Sequence, residues 1–239
     1  MASNRHFFRM KETMVTILAD VAFFLAAEAE IAIQRQHLEA YIRRDPLFAS
    51  ALVPYCVPDS APEIVRRMAE ASAKAGVGPM ASVAGALAEY ALGGMLRAGA
   101  RHAVVDNGGD IAMFIDRPVV VGLYVGPSPA RNLGLRFEPR GRILGVCTSS
   151  ATVGPSLSFG RADAAVVVSE DVLLADAAAT SLGNALREKI PESIGAALER
   201  HLLPGIEGLM AVLGDQVGLC GDLPEIVRAK IDFDLITKG

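Results

Sequence analysis

The chain has 239 residues, of which 51% are hydrophobic, and its 27 acidic and 23 basic residues give a net charge of −4 at pH 7. Many domains hold only about 100–150 residues, but mixed folds of helices and strands often contain more, so we expect a single domain over residues 1–239. The chain has no excess of positive charge with which to hold a phosphate backbone. This balance argues against a nucleic-acid partner.

Cysteine usage and hydropathy indicate where the protein works. The three cysteines Cys56, Cys147 and Cys220 are widely spaced and form no C-x-x-C pair, which argues against a disulfide framework and a structural zinc site. The N-terminus mixes charged and apolar residues and lacks the apolar stretch of a signal peptide. The most apolar helical run, 79–96, contains Glu89 and falls short of the roughly 20 apolar residues that span a bilayer. We therefore expect a cytoplasmic protein with no membrane partner.

The first part of the chain predicts a hairpin followed by helices. Two short strand-like runs, 5–10 and 14–19, flank a polar turn. Ser60 and Glu63 have the S-x-x-E spacing of a capping box, which predicts that a helix starts there. Helical spacing and stop signals predict helices over 28–44, 60–75 and 80–96.

The pattern then changes from helix to strand. Short runs rich in Val, Ile, Leu and Phe predict strands at 102–106, 111–116, 119–125, 132–137, 143–147 and 164–168. Helices are expected at 172–187 and 191–203, followed by a last pair of strands around Gly214. Helices before and after a block of strands predict an α+β fold, with one largely antiparallel sheet and the helices packed on one face.

Asp176 and Thr180 are the first candidates for a functional site. They lie four residues apart in the predicted helix 172–187, within a run that is otherwise almost entirely apolar. Residues at i and i+4 share a helix face, and two hard oxygen ligands at that spacing can share Mg²⁺ with a substrate phosphate. The alternative is structural: Asp176 would be favoured by the helix dipole, and Thr180 would bond back to a backbone carbonyl.

A glycine-rich turn is the second candidate. Asn107-Gly108 between two strands is a strong hairpin signal, because both central residues of a type I′ turn need φ > 0. That turn does not require Gly109, and consecutive glycines allow a nucleotide or phosphate to approach the backbone closely. We therefore expect an alanine at position 109 to weaken nucleotide binding without lowering stability.

The third candidate is the hydroxyl cluster Thr148-Ser149-Ser150 at the end of a strand. These side chains can donate hydrogen bonds to phosphate oxygens, or they can close the strand with Ser/Thr turns. The preceding Cys147 has no histidine in a recognisable partner motif, so we interpret it as a small buried residue and not as a nucleophile.

These motifs resemble the ApbE-like flavin transferase superfamily, because they occur in the same order along about residues 76–187. The chain is most similar to the shorter, signal-less and uncharacterised branch of that superfamily. The matching positions are Gly85 and Glu89, then Asn107-Gly108-Gly109-Asp110, then Thr148-Ser149-Ser150, and last Ala175-Asp176 with Thr180.

The resemblance implies a fold and a set of roles. It implies the T-fold-like α+β arrangement of the superfamily, with FAD or a related nucleotide and Mg²⁺ as cofactors. Asp176 and Thr180 match the residues that bind Mg²⁺ in the superfamily, and Asp176 is assigned the catalytic role. The remaining matched residues are assigned to nucleotide binding: Gly85, Glu89, Asn107, Gly108, Gly109, Asp110, Thr148, Ser149 and Ser150.

The chain also departs from the superfamily's pattern. Ala84 and Glu89 replace the lysine and aspartate of the family's Lys-Gly-x-x-x-Asp motif, and the segment 154–160 contains no histidine where the family has one. Two hypotheses follow. The first is a Mg²⁺-dependent enzyme acting on a flavin nucleotide or a related dinucleotide pyrophosphate, as a transferase or a hydrolase. The second is a non-catalytic nucleotide-binding or assembly protein. The Ala/Gly-rich helix also offers apolar surface for a homodimer.

Overall fold

The computed structural model describes residues 4–125, 132–150 and 160–229. Its strands are β1 (Asn4–Met10), β2 (Thr13–Ala19), β3 (Ala103–Asn107), β4 (Asp110–Phe114), β5 (Val119–Leu123), β6 (Leu133–Phe137), β7 (Leu144–Ser149), β8 (Ala164–Ser169), β9 (Ile206–Leu213), β10 (Gln216–Gly221) and β11 (Glu225–Arg228). Its α-helices are α1 (Phe24–Arg44), α2 (Leu47–Ser50), α3 (Glu63–Ala75), α4 (Val83–Arg97), α5 (Val172–Ala185) and α6 (Pro191–His201). Short 3₁₀ turns at 21–23 and 79–82 lead into α1 and α4.

Within the described residues, eight strands form one antiparallel sheet in the order β1-β2-β3-β4-β7-β8-β9-β10. The helices cover one face of it. Helix α4 lies over β3 and β4, α5 over β7 and β8, and α6 over β9 and β10, while α1 packs on α4 and α3 packs on α5. This arrangement confirms the prediction of an α+β fold with a largely antiparallel sheet and helices on one face.

A second, three-stranded sheet in the order β11-β6-β5 covers the other face of the large sheet. The prediction of one continuous sheet is therefore wrong for β5 and β6. Leu135 and Phe137 of β6 are fully buried against residues such as Met113 and Val146 of the large sheet. Strand β11, which pairs with β6, lies after the last pair of strands that the sequence predicted around Gly214.

The capping-box prediction is also wrong. Helix α3 begins at Glu63, its N-cap residue is Pro62, and no side chain caps it. Because proline has no N–H and fixes φ, it can begin the helix without the reciprocal hydrogen bonds that Ser60 and Glu63 would have made. Among the described residues, no helix is both long enough and apolar enough to cross a membrane.

Candidate functional site

Helix α5 carries Asp176 and is almost completely buried. The side chain of its N-cap residue, Asp171, accepts a hydrogen bond from the Leu174 N–H at 3.1 Å. Residues 172–179 are all buried, because α5 lies between β7 and β8 on one side and α3 and α4 on the other. Asp176 is 7% exposed, and Thr180 is partly exposed one helical turn later. Since α5 is helical throughout, both residues share one of its faces.

Helix α4 approaches Asp176 closely through Gly85. The Gly85 N–H donates to Asp176 Oδ2 at 2.7 Å. A Cβ atom at position 85 would lie 2.8 Å from the Val172 carbonyl oxygen and 2.9 Å from Asp176 Cβ. Both distances are shorter than real Cβ contacts, so only glycine lets the two backbones come this near. Gly85 therefore lies at the Asp176 site.

Three polar residues form a row on the helix-covered face of the large sheet. Asn107 on β3 pairs with Asp110 on β4, and Asp110 pairs with Cys147 on β7. Directly opposed residues of antiparallel strands point to the same face. Cys147 belongs to the core between sheet and helices, and its thiol lies 3.6 Å from the Val172 carbonyl oxygen of α5. The row therefore runs beneath α4 and α5.

Asn107 ties this row to the start of α4. Its side-chain amide donates to the Ala84 carbonyl oxygen at 3.0 Å, and the residue is 8% exposed. Ala84 immediately precedes Gly85, which contacts Asp176. The structure thus brings Asn107, Gly85 and Asp176 together through one short stretch of backbone, although the three residues are far apart in sequence.

The hairpin after β3 was predicted correctly, but its register was wrong by one residue. Asn107 is the last residue of β3 and pairs with Asp110, so the two central residues are Gly108 and Gly109, with φ of +71° and +102°. Both values lie in the region that a type I′ turn needs. The Asp106 carboxylate supports the turn by accepting from the Gly109 N–H at 2.9 Å.

This register changes the meaning of Gly109. The turn requires its positive φ, and a Cβ there would lie at an ordinary 3.8 Å from the Thr148 carbonyl oxygen. The expectation that an alanine would leave stability unchanged is therefore contradicted, because the backbone conformation itself calls for glycine.

The carboxyl groups of Asp176 and Asp110 both have pKa values above the ordinary value for aspartate. Burial raises the pKa of Asp176 to about 7, although hydrogen bonds from the Gly85 and Ala84 N–H groups oppose the shift. The Asp110 residue is partly exposed, but desolvation of its carboxyl group by the surrounding protein, with the negative charge of Asp176 and then of Asp106, raises its pKa well above the usual range. Asp110 and Asp176 are thus close enough to repel each other when both are ionised.

Cys147 pairs with Asp110 across β4 and β7 and stays a thiol. Burial, followed by the charges of Asp110 and Asp176, raises the pKa of Cys147 well above its ordinary value. A nucleophilic cysteine needs the opposite shift. The interpretation of Cys147 as a small buried residue is confirmed by its complete burial.

The hydroxyl cluster does not converge on Asp176 as a unit. Ser149 lies on the helix-covered face, because its hydroxyl is 3.1 Å from where a Cβ of Gly183 on α5 would be. Strand alternation places the Thr148 side chain on the opposite face, in line with Val146. Ser150 is buried just after β7. Of the histidine-free segment 154–160, all but Gly160 lies outside the described residues.

Glu89 has protein partners on both carboxylate oxygens. Oε1 accepts from Arg67 Nη2 at 2.7 Å, and Oε2 accepts from the Val172 N–H, the first of α5, at 3.2 Å. The sequence had assigned Glu89 to the nucleotide pocket, and nothing in the sequence singled out Arg67.

The residues around Asp176 offer oxygen atoms of the kind that Mg²⁺ prefers, but few of them. In the part of the chain that the structure describes, no basic side chain forms an ion pair with Asp110 or Asp176. The same residues contain no group of three or more His, Cys, Asp and Glu side chains arranged to hold a metal. Mg²⁺ in proteins often takes only one or two carboxylates and fills its other positions with water and substrate phosphate. Asp176 and Thr180 fit that smaller set.

Comparison with known proteins identifies the family. A family model described as "AbpE bacteria" matches residues 2–202. The chain belongs to this ApbE-like family. Its relatives include a UPF0280 protein of Methanocella arvoryzae, 52% identical over 97% of this chain and 94% of the relative, and one of Methanosarcina barkeri, 51% identical over 97% and 92%. The name of these relatives specifies no activity.

Solved structures show that the ApbE-like fold is shared. The apo form of the Pseudomonas stutzeri flavinyl transferase ApbE matches 100% of this chain and 99% of its own, with a TM-score of 0.57 and 14% identity. The Vibrio cholerae flavin transferase ApbE matches 91% and 97%, with a TM-score of 0.50 and 12% identity. At these identities the likeness concerns the fold, and it confirms the fold expected from the motifs.

Proposed function

We propose that this protein is a Mg²⁺-dependent enzyme that acts on the pyrophosphate of a flavin dinucleotide or a related nucleotide. The observation that carries the proposal is the buried Asp176 carboxyl group. It is oriented by the Gly85 N–H, lies one turn from Thr180 and has no basic partner among the described residues. A bound cation would favour the ionised form that burial disfavours. The flavin class of substrate is supported by the solved flavin transferases that share the fold.

Each residue of the site has a part in this proposal. Asp176 and Thr180 would hold the ion, while the Gly85 N–H fixes which way the carboxylate points. Asn107 keeps Ala84 and Gly85 in place. When bound, Mg²⁺ would neutralise the charge that develops on the phosphate. Hydrolysis would add water across one P–O bond of FAD and release FMN and AMP, whereas transfer would join FMN to an acceptor hydroxyl and release AMP.

The second candidate is a non-catalytic nucleotide-binding or assembly protein. Ala84 provides no ammonium group where the family's motif has lysine, and Glu89 is engaged by Arg67 and the Val172 N–H. Both observations favour a protein that holds a nucleotide without transferring part of it.

Incubation of the purified protein with FAD and Mg²⁺ tests the proposal, with FMN and AMP separated by chromatography. We expect release that EDTA stops, that Asp176→Asn abolishes and that Thr180→Val reduces. Asp20→Asn is the matched control, because Asp20 also accepts a backbone N–H, at 3.0 Å from Ala22, at a helix start away from this site. Nucleotide binding without turnover would favour the second candidate. The absence of both binding and turnover would contradict both candidate functions.

A further inference from the structure

We propose that Glu89 and Arg67 form a latch that positions α5, so that Glu89 acts on Asp176 through the helix and does not contact the nucleotide. The consequence for Mg²⁺ binding rests on the proposed function. The latch itself is a set of contacts between α3, α4 and α5.

The latch satisfies a need of α5. The N–H groups in the first turn of a helix have no partner within the helix. The Asp171 side chain accepts from the Leu174 N–H, and Glu89 Oε2 accepts from the Val172 N–H at 3.2 Å. A carboxylate is also favoured there by the helix dipole. Two acidic side chains, Asp171 at the N-cap and Glu89 from α4, therefore accept hydrogen bonds from N–H groups in the first turn of α5.

Arg67 fixes the other oxygen of Glu89. Its Nη2 lies 2.7 Å from Oε1, and the Glu89 side chain is 13% exposed. Burial alone would lower the pKa of Arg67, but the charge and hydrogen bond of Glu89 raise it above its usual value, so Arg67 keeps its positive charge beside Glu89. The Arg67 guanidinium also lies over the Tyr90 ring, 5.4 Å from its centroid. These contacts leave Glu89 little freedom to turn toward a ligand.

The latch acts together with the contact at Gly85. Gly85 and Glu89 are one turn apart on α4, and their partners Asp176 and Val172 are one turn apart on α5. The later residue on α4 contacts the earlier residue on α5, so the two helices run antiparallel at this contact. Two hydrogen bonds separated by one turn on both helices fix the axial shift as well as the rotation of α5. The rotation decides where the Asp176 carboxyl group points.

The test compares three variants by two measurements that do not depend on each other. Glu89→Ala removes the acceptor, Glu89→Gln keeps an oxygen for the Val172 N–H, and Glu30→Ala is the matched control. Glu30 also pairs with an arginine, Arg97 at 2.6 Å, and its side chain is 15% exposed. The measurements are hydrogen exchange in peptides covering 172–180 and the dissociation constant for Mg²⁺ at fixed pH.

We expect Glu89→Ala to speed exchange in the first turn of α5 and to raise the dissociation constant for Mg²⁺ about tenfold, which is typical for residues that support a metal ligand. Glu89→Gln should restore most of both properties, and Glu30→Ala should change neither. A direct ligand role predicts instead that Glu89→Gln binds Mg²⁺ as poorly as Glu89→Ala while α5 exchanges normally, and this result would overturn the proposal.

Two further results are decisive. If Glu30→Ala has the same effects as Glu89→Ala, general stability explains them and the latch is refuted. If the wild-type protein binds no Mg²⁺, the proposed function fails, and the exchange data alone decide whether the latch exists.

Discussion

The two faces of the large sheet are covered by cores of different composition. On the helix-covered face, about half of the buried apolar residues are alanines. Within the part of the chain that the structure describes, the cluster on the other face, under the three-stranded sheet, contains Ala164 as its single alanine among larger side chains such as Met113 and Phe137. The candidate site, with Asn107 and Asp176, lies on the first face. Small side chains let backbones approach until an N–H reaches a carboxylate, whereas large ones fill space and keep the layers apart.

This difference suggests that the two cores serve separate purposes. The core under the three-stranded sheet holds the two sheets together, and the alanine-rich core on the helix-covered face positions polar groups between closely spaced backbones. Changes in the core under the three-stranded sheet should therefore affect stability alone, while changes in the alanine-rich core should affect stability and ligand binding together.

The largest expected effect comes from Phe137→Ala. Phe137 is 1% exposed in the core between the two sheets. Truncation of a buried phenylalanine costs about 3–5 kcal/mol, which urea unfolding would measure. We expect the folded variant to bind Mg²⁺ and FAD as the wild type does. Val120→Ala is the control, because Val120 is 49% exposed on β5, and its change should stay within about 0.5 kcal/mol. Weakened binding of Mg²⁺ or FAD by folded Phe137→Ala protein would contradict the idea that the two cores serve separate purposes.

Gly85→Ala should have the next largest effect and should weaken both stability and Mg²⁺ binding. The added methyl group would press on the Val172 carbonyl oxygen and on Asp176. Overpacking of this kind costs about 1–3 kcal/mol. It would also move α4 away from Asp176, so Mg²⁺ binding should weaken with stability. Both quantities can be followed by thermal unfolding with and without Mg²⁺.

Gly195→Ala is the matched control for that change. Gly195 also lies within a helix, α6, but among the described residues no atom outside its chain neighbours and its own helix backbone comes within 4 Å of the position of its missing Cβ. Alanine there should stabilise the protein by up to about 1 kcal/mol through helix propensity and leave Mg²⁺ binding unchanged. If Gly85→Ala behaves in the same way, the close approach of α4 and α5 is not needed for the site.

A smaller effect is expected for Gly109→Ala. The residue has φ of +102°, and the left-handed region costs an alanine about 1–2 kcal/mol. Because no backbone crowds this position, Gly109→Asn should cost less, since asparagine tolerates positive φ better. Equal unfolding free energies for wild type and Gly109→Ala would show that the turn is not as described, and would restore the idea that Gly109 serves a ligand.

The sequence predicted the local elements better than their assembly. Periodicity indicated α5, and the Asn-Gly-Gly-Asp run indicated a hairpin, because both depend on neighbouring residues. The pairing of Asp110 with Cys147 and the approach of Gly85 to Asp176 depend on strand order and on helix packing. No local pattern carries that information, although the family's motif order pointed to the same residues.

The sequence could not reveal the second sheet or the role of Arg67. Strands β5 and β6 have the same apolar character as their neighbours, so their separation follows only from the layer they pack against. Arg67 lies on α3 among other charged residues, and its significance appears once α4 brings Glu89 beside it. A charge pair between separate helices is a tertiary feature.

The most specific prediction concerns the pH dependence of stability in the metal-free protein. The pKa of Asp176 is about 7 in the folded protein and close to its ordinary value of 3.8 in the unfolded chain. The unfolded chain therefore loses its proton first as pH rises. The contribution of Asp176 to stability is complete below about pH 4 and is lost between pH 4 and 7, with a slope of at most about 1.4 kcal/mol per pH unit for one proton.

Asp176→Asn removes this proton while keeping an oxygen that can accept from the Gly85 N–H. Urea unfolding in EDTA at a series of pH values should give a flatter curve for the variant than for the wild type. Asp176→Asn also removes the charge that helps to raise the pKa of Asp110, so the difference between the curves reports the coupled titration of Asp176 and Asp110. Mg²⁺ should restore the stability of the wild type above pH 7 and should not affect the variant. Parallel curves would mean that Asp176 does not carry a raised pKa, so its carboxyl group would be ionised in the folded protein above about pH 4 and burial in the helix-covered core would not disfavour its charge.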